Sequence, residues 1–214
     1  MPFPTTSVLD TFSDTEGPPM TGWATPTGLG GLKSASGVCL ANATNAVGFW
    51  NSVLASADCE AFVTVSTATS ASNTVGVWAR CANVGSAATI DGYLVSMGEG
   101  ATDLWSIYRV DNGVPTLLGS TFSQEVANGD SIGIQVIGST IGAWYKASAG
   151  SWTELATRTD STYTAAGYVG LSISDTTGRC DNFGGGVYVP SGVVGPLIGG
   201  RLVKRGILQG RLVR

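Results

Sequence analysis

The sequence feature that most constrains the fold is an alternation of apolar and other side chains between residues 129 and 183. Several short segments show it, each bounded by Gly, Ser, Asn or Asp. Their apolar positions are Ile132, Ile134 and Val136; Ile141, Ala143 and Tyr145; and Val169, Leu171 and Ile173. Because successive side chains of a β-strand point to opposite faces, this pattern predicts half-buried antiparallel strands. Helical spacing is not sustained anywhere in the segment.

Short apolar segments separated by glycine-rich turns also fill the preceding part of the chain. At this spacing about a dozen strands are predicted, enough for two packed antiparallel sheets. Asp111, Asn112 and Gly113 predict a tight hairpin turn between two of them. A chain of 214 residues with 43% hydrophobic residues can bury one sizeable core. The sequence therefore predicts an all-β, two-sheet antiparallel β-sandwich over residues 1–190.

Particular residues at both ends of this sandwich carry a family resemblance. In the closing half they are Asp130, Gly138, Trp152, Asp160, the run AGYVGL at 166–171, and Asp181, Asn182 and Phe183; near the start they are Asp10, Phe12, Gly17, Pro18 and Trp23. This order resembles concanavalin A-like (laminin G-like) jelly-roll domains, over roughly residues 7 to 189. The resemblance implies that the opening strand pairs beside the closing strand. It includes no catalytic signature.

The same resemblance implies a possible metal site. Related sandwiches often hold a structural calcium between the first and last strands, with a carboxylate from the terminal strand. By resemblance Asp181 is the matching residue, with Asp10 as its neighbour, and carboxylate oxygens suit calcium. The alternative is that both aspartates cap turns by accepting hydrogen bonds from backbone amides. No cofactor is expected to be required.

The charge is distributed unevenly along the chain. The net charge is −4, but residues 1–190 carry six basic and all fifteen acidic side chains, whereas residues 191–214 carry five basic side chains and no acid. From Gly195 the chain divides into the pentads GPLIG, GRLVK, RGILQ and GRLVR. The apolar pairs are Leu197 and Ile198, Leu202 and Val203, Ile207 and Leu208, and Leu212 and Val213.

Neighbouring residues of an extended chain point to opposite faces, so apolar pairs require cover on both faces. Residues 191–214 are therefore interpreted as an extended assembly arm that docks on another chain, with Arg201, Arg205 and Arg211 facing acid or solvent. Two alternatives remain open: the tail packs back on its own sandwich, or it is solvated.

Catalysis is not predicted. Of the five glutamates, Glu16 follows Asp14 in an apparent turn, and the glucanase-type E-x-D-x-x-E pattern is absent from the chain. A glycosidase would need two carboxylates facing one cleft, and the chain has no His for a nucleophilic triad. Four cysteines without metal spacing argue against zinc and are interpreted as buried free thiols, with a Cys39–Cys59 pair as the alternative.

Aromatic residues offer a carbohydrate site. Trp152 follows a glycine-containing turn and is expected to be exposed, and Trp152 and Tyr145 could stack on sugar rings if they lined a concave face. Trp78, Trp105 and Trp144 lie in mid-strand, where a core position is usual. The body of the chain is acidic, and its basic tail has no aromatic residue that could stack on a base. Nucleic-acid binding is therefore not predicted. No run is long enough for a membrane span, and no secretory signal is recognised.

A low-charge jelly-roll body with an apolar, basic arm is typical of a structural protein of a tailed bacteriophage. The resemblance implies head decoration or a fibre module of the virion, assembled in the host cytoplasm. The expected partners are further copies of the chain, as a trimer, other virion proteins such as the major capsid protein, and cell-surface glycans. The alternative function is a free carbohydrate-binding module or a glycoside-active bacterial protein.

Overall fold

A computed structural model describes residues 3–67 and 73–190. In this part of the chain, β-strands form two eight-stranded sheets and all pairs between named strands are antiparallel. The first, sheet A, contains β1 (Val8–Asp10), β3 (Leu32–Ala35), β4 (Val38–Ala41), β6 (Cys59–Thr67), β12 (Ser131–Ile137), β13 (Thr140–Lys146), β14 (Thr153–Thr159) and β16 (Arg179–Val187). The second, sheet B, contains β2 (Trp23–Ala24), β5 (Ala46–Trp50), β7 (Thr74–Ala82), β8 (Asp91–Gly98), β9 (Leu104–Asp111), β10 (Val114–Leu117), β11 (Phe122–Ser123) and β15 (Tyr168–Ile173).

The chain passes repeatedly between the two sheets, as in a jelly roll. Sheet A has the order β14-β13-β12-β6-β16-β4-β3, with β1 added beside β16. Sheet B has the order β10-β9-β8-β7-β15-β5-β2, with β11 beside β9. A short 3-10 turn, Ala87–Thr89, precedes β8. No helix in residues 3–67 and 73–190 has the length and apolarity to cross a membrane.

The apolar positions of the alternating strands form the core between the sheets. Ile132, Ile134 and Val136 of β12 are fully buried there, opposite sheet B residues such as Val95 and Ile107. The predicted all-β sandwich is thus confirmed, and so is the pairing of opening and closing strands, since Asp10 of β1 lies opposite Phe183 of β16.

The predicted hairpin turn between β9 and β10 is also confirmed. Asn112 and Gly113 both have positive φ values, 49° and 76°. Two such residues in succession make the type of turn that matches the twist of an antiparallel pair. The turn places Gly113 against the loop before β8, where its amide donates to Ile90 O at 2.7 Å.

Candidate functional site

The outer face of sheet A is covered by the first residues of the sandwich, residues 3–6, which we call the N-terminal strap. The ring of Phe3 stacks on Trp144 at 4.8 Å between ring centres and meets Trp152 edge-on at 4.8 Å. A Cβ at Gly133 would collide with the Phe3 ring, so this glycine lets the ring lie against the sheet. Trp144, which the sequence places in the core, is instead buried on this outer face.

A buried carboxylate anchors the strap. The side chain of Glu60 is fully buried on the outer side of β6. One of its oxygens accepts bonds from the backbone amides and the hydroxyls of Thr5 and Thr6, and the other accepts from Gln135 Nε2 at 3.1 Å. A carboxylate can be buried at tolerable cost when several donors satisfy it in this way. The end of the sandwich joins the strap, because Val189 N donates to Thr5 Oγ1 at 3.0 Å.

The two residues predicted to bind sugar do not share a surface. Trp152 packs with the strap on the outer face of sheet A and is only partly exposed. Tyr145 packs against the core, with its ring edge-on to Trp105 at 6.4 Å. Its hydroxyl donates to Asp130 Oδ2 at 2.7 Å, and burial together with this bond raises the pKa of Tyr145 to about 12. Trp152 and Tyr145 therefore do not line one common surface.

The outer face of sheet B is built differently, around a row of small residues. Ser172, Gly76, Ser96 and Ser106 lie in register on four adjacent strands, and we call them the serine row. They face outward because their neighbours Val77, Val95 and Ile107 face the core. The hydroxyls of Ser96 and Ser106 have no hydrogen-bond partner within the described parts of the chain. Ser96 is partly exposed on this face, whereas Ser106 is buried.

A pocket of about 280 Å³ adjoins the serine row, and we call it the apolar pocket. Its principal walls are Val47, Trp78, Ile90, Leu94, Val110 and Pro115. Two of these, Trp78 and Leu94, lie two residues along their strands from Gly76 and Ser96 of the row. Asn45 contributes an amide to a lining that is otherwise apolar.

Backbone hydrogen bonds between loops fix the rim of the apolar pocket. Thr27 N donates to Gly85 O at 3.0 Å, and Ala87 N donates back to Thr27 O at 2.9 Å. Together with the bond from Gly113 to Ile90, these contacts hold three loops against the sheet. The pocket is thus formed before any ligand arrives, as is usual for small-molecule sites.

Trp78 is the central side chain of this pocket, whereas the sequence analysis assigned it a position in the core. Its Nε1 donates to Ser172 Oγ at 3.0 Å and its ring meets Phe49 edge-on at 5.8 Å, which fixes its orientation. The signal was present in the sequence. Val75 and Val77 alternate toward the core, so Gly76 and Trp78 must face the other way.

Carboxylates beside the pocket have structural partners. Asp91 Oδ1 accepts from the amide of Asn112 at 2.8 Å, and this bond is the main cause of the lowered pKa of Asp91. Asp111 accepts from Arg109 Nε at 2.8 Å and from the hydroxyl of Tyr163 at 2.7 Å, and both bonds lower the pKa of Asp111. Arg109 also bonds Asp160, at 3.0 Å. These contacts hold the β9–β10 hairpin that forms part of the rim.

The two aspartates proposed for calcium lie on paired strands but are bonded to their own neighbours. Asp10 accepts from Phe12 N and from Trp23 Nε1, both at 2.7 Å. Asp181 accepts from the amide and side chain of Asn182, at 2.7 and 2.9 Å. These bonds to Phe12 N and Asn182 N correspond to the alternative named above, in which both aspartates cap turns. Within residues 3–67 and 73–190 no group of three or more His, Cys, Asp or Glu is placed to hold a metal.

All four cysteines are buried free thiols. Cys39 lies opposite Cys180 across β4 and β16 rather than beside Cys59. Burial raises the pKa of each thiol, that of Cys59 to about 11. The predicted assembly arm, residues 191–214, lies outside the described residues.

Comparison with known proteins identifies the fold. Neither a family model nor a curated protein sequence matches the chain. Solved structures do match. The carbohydrate binding module CBM66 from Bacillus subtilis has a TM-score of 0.56 at 15% identity, over 77% of this chain and 93% of that one.

Two further structures have the same architecture. The exoplasmic/lumenal domain of VIP36, in a Ca²⁺/Man2-bound form, has a TM-score of 0.59 at 12% identity and covers 84% of this chain and 86% of its own. The Bacillus licheniformis β-glucanase has a TM-score of 0.55 at 9% identity, over 84% and 97%. The protein therefore has the concanavalin A-like jelly-roll fold. At these identities the likeness shows the fold alone.

Proposed function

We propose that the protein binds carbohydrate through the outer face of sheet B. The observation that carries this proposal is a preformed apolar pocket beside the serine row, on a sheet face that residues 3–67 and 73–190 leave without a covering strap. A sugar ring combines an apolar C–H face with hydroxyls at its edge. Trp78 and Leu94 match the first, and the partly exposed Ser96 can bond the second.

Two structural neighbours support this proposal. One is called a carbohydrate binding module, and another was solved in a Ca²⁺/Man2-bound form. Binding without turnover is the activity we propose. A glycosidase requires paired carboxylates at the cleft, and the apolar pocket as described is lined without Asp or Glu.

The broader role that we propose is that of a structural protein on a bacteriophage virion, as head decoration or a fibre-type surface protein. Its support is the sequence: a low-charge sandwich followed by residues 191–214, whose +5 charge and paired apolar residues suit docking on an acidic or apolar partner. In this proposal the arm anchors or oligomerises the protein, and the sandwich contacts glycans. The competing function is a free carbohydrate-binding module, in which the tail has no assembly role.

Screening the purified full-length protein on a glycan array tests carbohydrate binding. Ser96→Phe places a ring on the serine row and is expected to abolish binding of any glycan the wild type retains. The matched control is Thr157→Phe, which adds the same ring to an exposed position on sheet A. Wild-type binding by Ser96→Phe, or no glycan bound by the wild type, would refute the proposed site.

Light scattering tests the assembly role separately. The mass in solution of the full chain is compared with that of a chain truncated after Pro190. Under the virion proposal the full chain is an oligomer and the truncated chain a folded monomer that still binds glycan. A monomer in both forms favours the free binding module.

A further inference from the structure

Resting on the proposed function, we infer that the apolar pocket selects an uncharged sugar with a methyl group, supplied by a 6-deoxy position or an acetyl substituent. The methyl enters the apolar pocket while the ring lies along the serine row. Three features of the pocket support this inference: the chemistry of its lining, the absence of a cation from the described lining and its size.

The lining disfavours a ligand hydroxyl at the bottom of the pocket. The side chains of Val47, Ile90, Leu94 and Val110 present only C–H groups. Trp78 has one polar atom, and its N–H is already donated to Ser172. A hydroxymethyl group placed against these walls, away from the amide of Asn45, would lose its bonds to water without gaining partners from them, whereas a methyl group loses none.

The charges disfavour an acidic sugar. The described lining contains no Lys or Arg that could pair with a carboxylate. Two aspartates, Asp91 and Asp111, follow the lining residues Ile90 and Val110, but both accept from the hydroxyl of Tyr163, and neither lines the pocket. An anionic sugar would therefore find no compensating cation in the pocket.

The size and order of the pocket suit one substituted sugar unit. A volume of about 280 Å³ lies just below the range of ordinary small-molecule sites. A longer chain must therefore continue along the serine row, where Ser96 offers a partly exposed hydroxyl. The loop contacts between Thr27 and Gly85 fix the rim, so the walls are not expected to rearrange around a larger group.

Matched sugar pairs test the inference by calorimetry on the full-length protein. The pairs are methyl α-L-rhamnoside against methyl α-L-mannoside, methyl β-D-fucoside against methyl β-D-galactoside, and N-acetylglucosamine against glucose. In at least one pair the methyl-bearing sugar should bind about tenfold to a hundredfold more tightly, the range in which an apolar pocket rejects an added hydroxyl. The first two pairs report a 6-deoxy group and the third an acetyl group.

Val110→Thr sharpens the test, because it replaces one buried methyl of the wall by a hydroxyl of similar size. This variant is expected to lose most of the preference for the methyl-bearing sugar. Val126→Thr, at a buried position of the main core outside the pocket, is the control for a general loss of stability and should keep the preference. Thermal unfolding confirms that both variants are folded.

The outcomes separate the two proposals. Equal or tighter binding of the hydroxymethyl sugars overturns the inference and leaves carbohydrate binding intact. Tighter binding of galacturonic acid than of methyl β-D-fucoside also overturns it. If no sugar binds the wild type, the proposed function fails and the inference fails with it. Competition by a peptide of residues 195–214 alone would assign the pocket to the arm and overturn both.

Discussion

The outer faces of the two sheets arise from the same alternation of side chains, but the N-terminal strap covers only the outer face of sheet A. On sheet A the chain covers its own face: Phe3 lies over the aromatic cluster and five donors satisfy Glu60. One polar atom of this covered face, Trp144 Nε1, is nevertheless buried without a partner in residues 3–67 and 73–190. On sheet B no strap of the described chain lies over the face, and Ser96 of the serine row is partly exposed. The covered face thus gains stability from its own packing, whereas the face of sheet B keeps a polar side chain accessible.

The largest expected effect is on the covered face. Phe3→Ala removes the ring that packs on Trp144 and Trp152 and should lower the free energy of unfolding by about 3 kcal/mol, as for other large-to-small changes of buried aromatics. Guanidinium unfolding measures the loss. Phe3→Leu should lose clearly less. Sugar binding at sheet B should be unchanged, and a parallel loss of binding would contradict the independence of the two faces.

The second effect is on the open face. Leu94→Lys introduces a charge beside Trp78 and should weaken glycan binding by at least about tenfold, because a buried ammonium must be desolvated. Its unfolding free energy should change less than that of Phe3→Ala, since Leu94 is partly exposed. Val53→Lys, at an exposed aliphatic residue outside the apolar pocket, is the control. Loss of binding in both variants would indicate a nonspecific charge effect.

A third, smaller effect should appear on acidification. The folded pKa values of Asp91 and Asp111 lie below the ordinary value of 3.8. Their bonds therefore contribute stability above the unfolded pKa, and that contribution is lost as the pH falls through the folded pKa. Glycan binding should be constant from pH 7 to about pH 5 and decline below about pH 4.

Hydrogen exchange can locate this acid effect. The amides of Asn112 and Gly113, which hold the β9–β10 turn, should lose protection as the carboxylates are protonated. Asp91→Asn should flatten the pH dependence of their protection. Uniform loss over the whole sandwich, with no earlier change at this turn, would show that the aspartates do not control the rim.

The smallest expected effect is that of calcium. Asp10 and Asp181 already accept hydrogen bonds from protein donors at both carboxylate oxygens. Adding millimolar Ca²⁺ or removing it with EDTA should therefore leave the melting temperature unchanged within about 1 °C, since only an ion that binds the folded state stabilises it. A clear increase with Ca²⁺ that Asp181→Asn abolishes would restore the calcium site.

The sequence predicted the sandwich well because strand alternation is a local property. It placed Ile132, Ile134 and Val136 on one face and the hairpin at Asn112 and Gly113. It could not show the strap, because the bonds between Thr5 or Thr6 and Glu60 join residues more than fifty positions apart. Nothing in the local sequence of residues 3–6 distinguishes them from a loose terminal segment.

The site was predicted less well for a related reason. Alternation shows which residues share a face, but three tryptophans were assigned to the core because they lie in mid-strand. This reasoning misplaced Trp78 and Trp144 while placing Trp105 correctly. Trp152 and Tyr145 were both named as sugar-stacking candidates, although the two side chains pack on opposite faces of sheet A.

The bond between Val189 and Thr5 has a consequence for how the sandwich can be presented. It brings the two ends of the described chain together on the outer side of sheet A, with the full thickness of the sandwich between them and the apolar pocket. A tether attached through the segment after Pro190 would leave from the side opposite the pocket. Attachment and recognition would then not compete for space, and many copies on one support could all turn their pockets outward.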